Sequence, residues 1–223
     1  MEMERRNPDD IRADVSSQLF WDSSLDSSDI NVDVAGNKVI LTGSVPSYSD
    51  RLEAEEDAYA IPGVTSVDNQ LAVSPVISPI PSDDDIRMRV ENVLDWNPII
   101  DASRIDISVE DGIVTLKGAV DSYWQKDKAW DLASNVSGVV DVVNELSVEP
   151  LEEVSDEDIR DDILNALDRS YVDAGDVNVS VKGCVVTLDG TVHDYNEFRT
   201  VEQIADFTAG VCDVKNNLVI ASV

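Results

Sequence analysis

The nine residues Asn37–Val45, Gly112–Val120 and Cys184–Val192 are one strand written three times. Alternate positions on one face carry the same residues in each copy: Val39, Leu41, Gly43, Val45; Val114, Leu116, Gly118, Val120; Val186, Leu188, Gly190, Val192. The other face admits Lys, Thr, Ser and Asp, which predicts a strand buried on one side only. A Gly fixed on the inward face leaves room for a close approach of backbone or helix, or for a bulge. Gly43 to Gly118 is 75 residues and Gly118 to Gly190 is 72, so a repeat of this kind sets the organisation ahead of any length rule. Units this small bury a modest fraction of their surface, and the three are expected to lean on one another.

The same punctuation opens each unit. Asn7-Pro8-Asp9-Asp10-Ile11, Ser82-Asp83-Asp84-Asp85-Ile86 and Ser155-Asp156-Glu157-Asp158-Ile159 place a capping residue, then carboxylates, then an aliphatic. The cap accepts a hydrogen bond from free amides and the acids oppose the positive end of the helix, a capping role rather than a metal site. Helical spacing follows in Ile11, Val15, Leu19 and in its two copies. A short alternating strand comes next (Ile30, Val32, Val34; Ile105, Ile107, Val109; Val177, Val179, Val181), then a tight turn into the central strand, giving an antiparallel hairpin. A second helix starts near Tyr48, Tyr123 and Tyr195 with a narrow face of small residues, which suits close packing over the strand glycine. It is expected to stop at Gly63, Gly138 and Gly210 as left-handed caps. In the last strand Asn69, Asn144 and Asn216 share parity with the apolar positions, so each is expected to bond local backbone. Val76, Ile77 and Ile80 of the Pro-rich connection 74–81 are expected to be extended and to pack on a neighbour.

Charge narrows the function classes. Forty-six acidic residues against 16 basic ones give a formal charge of −30, with no basic stripe of the kind that releases counterions, so nucleic acid is excluded as a partner. Such a surface resembles proteins of salt-accumulating cytoplasms, with an ordinary acidic protein as the alternative. Cys184 and Cys212 form no CxxC and recur in no other copy, so pairing is left open. The N-terminus shows no apolar signal core and no later stretch reaches membrane-spanning length. The expected location is cytoplasmic, or periplasmic if a leader has been removed.

The order helix, strand, strand, helix, strand, with V-x-L-x-G-x-V at the centre, closes on a shared motif. It reads Gly63-Val64-Thr65-Ser66-Val67-Asp68-Asn69-Gln70-Leu71 in the first copy. The second and third read Gly138-Val139-Val140-Asp141-Val142-Val143-Asn144-Glu145-Leu146 and Gly210-Val211-Cys212-Asp213-Val214-Lys215-Asn216-Asn217-Leu218. Three such copies in register resemble the BON domain (bacterial OsmY and nodulation domain) across nearly the whole chain. The resemblance implies a small sheet covered by two helices and no catalytic residues. It also implies roles in envelope integrity, osmotic stress and attachment to phospholipid or other macromolecules. The expected fold is α+β: three tandem αββαβ modules, each a three-stranded mixed sheet packed on one face by two helices. They occupy residues 1–75, 82–149 and 155–222, with linkers at 76–81 and 150–154.

No nucleophile, phosphate loop or metal constellation is written in the chain, and no cofactor is expected. His193, the lone histidine, reads as a turn residue. The local anomaly is Tyr123–Trp130, which holds two of four tryptophans and two of six lysines. Trp124 and Trp130 replace Ser49/Asn196 and Glu55/Glu202 of the other copies, positions that tolerate water. Trp124, Lys126, Lys128 and Trp130 are therefore the candidate binding residues; the two rings lie on opposite flanks of the helix, which favours a contact with a neighbouring module or a partner, with edge cover of the module's own core and lipid contact as the alternatives. Trp21 and Trp96, at the ends of the first helices where the third copy has Arg169, read as caps on the core, with a shared groove as the alternative. The expected function is a non-catalytic, stress-related binding or scaffolding protein. A protein or other macromolecular partner is placed ahead of a phospholipid surface.

Overall fold

The structure, a computed structural model, describes residues 6–75, 80–172 and 174–221. Val76 and Ile77 lie outside the described residues, and Ile80 is exposed rather than packed on a neighbour.

The first module runs α1 (Pro8–Trp21), β1 (Ile30–Ala35), β2 (Lys38–Val45), α2 (Tyr48–Tyr59), β3 (Ser66–Val73). The second runs α3 (Asp83–Asp95), β4 (Ile105–Glu110), β5 (Ile113–Val120), α4 (Tyr123–Ser134), β6 (Asp141–Val148). The third runs α5 (Asp156–Arg169), β7 (Val177–Lys182), β8 (Val185–Val192), α6 (Tyr195–Asp206), β9 (Asp213–Ile220). Each makes its own three-stranded sheet in sequence order, with the central repeat strand in the middle. β1 pairs antiparallel with β2, and β2 parallel with β3; the second module repeats both pairings. The fold is thus α+β, with mixed sheets.

Local chemistry makes the helix starts. The Asn7 side chain accepts the Asp9 amide at 3.1 Å, and Ser82 and Ser155 accept the amides of Asp85 and Asp158 at 3.2 and 3.1 Å. Asp85 returns the bond to the Ser82 amide, completing a capping box. The first acid in two modules does more than face a dipole. The Asp83 carboxylate accepts the amides of Asp111 and Gly112, and Asp156 those of Gly183 and Cys184, clamping the hairpin turn to the helix start. Amides donated by Cys184 and Gly183 hold the Asp156 carboxyl below its usual range. Pro8 stands at this place in the first module.

One core repeats three times. Ile11, Val15 and Leu19 of α1 meet Val39, Leu41 and Val45 of β2, Ala54 and Ala58 of α2, and Leu71 of β3. Ile86, Val90, Leu94, Leu116, Ala129 and Ala133 repeat the pattern, as do Ile159, Ile163, Leu167, Leu188, Val201 and Ala205. A further residue from each loop after the first helix, Leu25, Ile100 or Val172, is buried as well.

Of the readings open for the strand glycines, the close approach is of backbone and not of a helix. A Cβ on Gly43, Gly118 or Gly190 would lie 1.9, 2.0 or 2.0 Å from the carbonyl oxygen of Asp29, Arg104 or Asp176, the residue just before β1, β4 or β7. Their φ values of 117°, 124° and 134° are closed to other residues in any case. Gly63, Gly138 and Gly210 do not cap helices, which end four residues earlier at Tyr59, Ser134 and Asp206. Each is the positive-φ third residue of a tight turn closed by Val64→Ile61, Val139→Val136 or Val211→Thr208, as in a type II turn.

The three asparagines bond backbone as expected. Their carbonyl oxygens accept the amides of Leu71, Leu146 and Leu218. Asn69 and Asn144 donate to the Arg51 and Lys126 carbonyls at 2.7 and 2.8 Å. Asn216 donates instead to the Glu202 side chain at 3.1 Å.

By contact the chain forms two compact units. One runs to Ile80 and takes in His193–Asn196 and the end from Ile220; the other comprises Pro81–Val192 and Glu197–Val219.

Candidate binding site

The four residues singled out on α4 do not form one surface. Trp124 is half-buried and turns toward Phe207, which follows α6, with ring centroids 5.8 Å apart. Trp130 is half-buried and stands where Glu55 and Glu202 receive an asparagine amide in the other modules. Lys128 pairs with Asp131 at 2.6 Å, and the Lys126 ammonium lies 5.8 Å from the Tyr123 ring centre. Helix α4 thus meets the third module through Trp124 and holds its lysines against its own side chains.

The most exposed aromatic rings lie elsewhere, at and just past the ends of the first helices. Trp21 is 77% exposed and Phe20 packs edge-on against it at 5.5 Å. Trp96 is 86% exposed with Ile99 beside it in the chain, and Tyr171, level with Ile99 in the repeat, is 86% exposed. The expectation that Trp21 and Trp96 cap the core is therefore corrected. Leu25 and Ile100 plug the core from the following loop, so the indoles have nothing left to cover.

Hydrogen bonds and ion pairs brace the loops of the first two tips. The Ile99 amide donates to Asn97 and its carbonyl accepts Gln125 of α4 at 2.9 Å. Arg104 closes the same loop through Asp121 and Glu149 at 2.5 and 3.0 Å. In the first module Ser24 bridges Asp22 and Glu53, and Gln18 reaches Asp57. The Ser24 hydroxyl and amide hold the Asp22 carboxyl below its usual range, and those of Ser28 do the same for Asp26. The first tip therefore remains negative through neutral pH.

Other candidate chemistry is sparse. His193 sits in the bend between β8 and α6, as expected of a turn residue. With Tyr59 and Tyr195, whose rings stack at 4.4 Å, it lines a hollow of about 140 Å³, below the roughly 300 to 1,000 Å³ of small-molecule sites. Among the described residues no group of three His, Cys, Asp or Glu side chains is placed to hold a metal, and no helix is long and apolar enough to cross a membrane. Cys184 and Cys212 are joined by a disulfide, which settles the pairing that their spacing left open.

Comparison with known proteins agrees with the repeat. The family model for the BON domain matches residues 7–75, 82–150 and 155–222. Osmotically-inducible protein Y of Escherichia coli K12 is 31% identical over 140 residues, 61% of this chain and 70% of that protein. Outer membrane lipoprotein DolP of Haemophilus influenzae is 32% identical over 116 residues, 51% of this chain and 60% of that protein. A solved structure of CdsD, a structural protein of the type III secretion system of Chlamydia trachomatis, aligns over 95% of this chain and 92% of its own, at 20% identity and a TM-score of 0.28.

Proposed function

The chain belongs to the BON domain family, and from that footing we propose that it is a non-catalytic envelope protein whose modules attach to an uncharged or zwitterionic lipid surface through the aromatic tips of their first helices. The observation that carries this reading is the exposure of Trp21, Trp96 and Tyr171 at one end of each module. Indole and phenol rings combine an apolar body with a polar edge and concentrate at the headgroup level of bilayers. Rings carried on hydrogen-bonded loops require little backbone ordering on docking.

Charge selects the kind of lipid. With −30 overall and ionised Asp22 and Asp26 around the first tip, an anionic bilayer repels the chain. A zwitterionic one does not. Phospholipid thus moves ahead of a protein partner, because the residues that favoured a protein contact, Trp124 above all, are engaged within the chain. The name of the DolP relative, an outer membrane lipoprotein, agrees with a bilayer-facing role, and that of the osmotically inducible relative with a stress setting. The Cys184–Cys212 disulfide fits an oxidising compartment, which replaces the cytoplasmic placement with the envelope.

Flotation with phosphatidylcholine vesicles tests the reading. The chain should float at low and high salt alike, and W21S/W96S/Y171S, with unchanged circular dichroism, should stay at the bottom. With phosphatidylglycerol vesicles, flotation should appear only as salt screens the repulsion. A chain that ignores neutral vesicles, or a variant that floats as well as the parent, overturns it.

A further inference from the structure

The seam between α4 and α6 is short of positive charge. From α4 come Tyr123, Lys126, Asp127 and Lys128; from α6, on one face at i, i+3 and i+7, come Arg199, Glu202 and Asp206; from β9 comes Asp213. Both lysines are turned to α4's own Tyr123 and Asp131. Arg199 pairs with Glu202, with its Nη1 3.0 Å from the carboxylate. Asp206 carries a buried oxygen, Oδ1, that accepts no hydrogen bond among the described residues. At the rim, Trp124 and Phe207 close the contact with one ring from each module.

A carboxylate oxygen buried without a donor carries a far larger desolvation cost while it is charged, and protonation removes most of that cost. We propose that this seam is a proton-operated clasp: it holds the second and third modules together while Asp206 is protonated and loosens when Asp206 ionises beside Glu202 and Asp127. Burial, then the charges of Glu202 and Asp127, push the Asp206 carboxyl up to about 7, against the opposing pull of Arg199. Tyr123 is raised too, first by burial and then by Asp206 and its neighbours, so it stays a neutral phenol throughout.

The sign follows from the closed seam binding the proton more tightly than the open one. Closure is fully favoured below the ordinary carboxylate range, weakens as the pH climbs, and reaches its floor above about 7. A chain docked on a bilayer would thus be more rigid in acid than in alkali.

Two readouts on the full chain test this. In 5-fluorotryptophan-labelled protein the Trp124 resonance, assigned by its loss in W124F, should titrate with a midpoint near 7. Hydrogen exchange of α6 amides, corrected for its intrinsic pH dependence, should accelerate at least about tenfold from pH 5 to 8. D206N, which keeps shape and removes the titration, should abolish both effects while R199 and E202 stay in place. The proposal fails if wild-type α6 exchange is flat with pH, or if D206N titrates as the wild type does. Should D206N misfold, D127N supplies the second variant, and it should lower the midpoint; an unmoved midpoint also counts against the clasp.

Discussion

A methyl group on Gly118 would sit 2.0 Å from the Arg104 carbonyl oxygen, on a backbone whose φ of 124° other residues shun. Neither insult can relax, because the carbonyl belongs to the chain leading into β4, which pairs with that same strand. G118A should therefore cost at least about 3 kcal/mol in urea unfolding. G183A, where a Cβ meets nothing within 4 Å, should cost only the positive-φ penalty of about 1 to 2 kcal/mol. Equal losses at the two sites would contradict the carbonyl explanation. The glycine was legible as a fixed requirement, with a close backbone approach among its readings, but not as to which backbone approaches, since the facing carbonyl arrives from outside the strand. Trp21 was misread although its angle was available. It lies two residues past Leu19, about 200° around the helix from the buried row, and only the assumption that a large ring seeks the core pointed it inward.

Among the elements, the crossing where the last strand begins is secured in three ways. In each module the amide before that strand donates to the residue before the central strand: Thr65 to Asn37 at 3.0 Å, Val140 to Gly112 at 2.9 Å, Cys212 to Cys184 at 2.9 Å. The first adds Asn37 to the Gly63 carbonyl at 2.5 Å, the second packs Val140 over Gly112, and the third adds the disulfide. Cys184 sits at φ 60°, where the second module uses Gly112 at 77°. Closing 28 residues of chain, the bridge stabilises the third module by about 3 to 4 kcal/mol on the chain-entropy account. C184S/C212S should lose about that much in chemical unfolding, and C184G/C212V, which imports the second module's pair, should recover part by relieving the turn. A double Ser variant as stable as the parent would show that the bond is incidental. The caps, hairpins and helix faces were legible because they are set by residues within a few positions. The clamp of Asp83 on the Asp111 and Gly112 amides spans 28 and 29 residues, and only the recurrence of an acid at the first helical position in two copies hints at it.

At the scale of the whole molecule, the copies share packing and differ in what they place at the surface. The repeat exposed the architecture in the sequence because it preserves core positions in register. The exposed aromatic tips stayed hidden because they differ in identity, Phe20 and Trp21, then Trp96 and Ile99, then Tyr171. The deviant tryptophans drew attention to α4 instead, where Trp124 packs against Phe207 of the third module. The two pairs of indoles can be separated directly by tryptophan quenching in phosphatidylcholine vesicles brominated along the acyl chains. A W124F/W130F variant, which keeps Trp21 and Trp96, should be quenched on vesicle addition, and a W21F/W96F variant, which keeps the α4 pair, should not. Quenching confined to Trp124 and Trp130, or absent from both variants, would contradict the account.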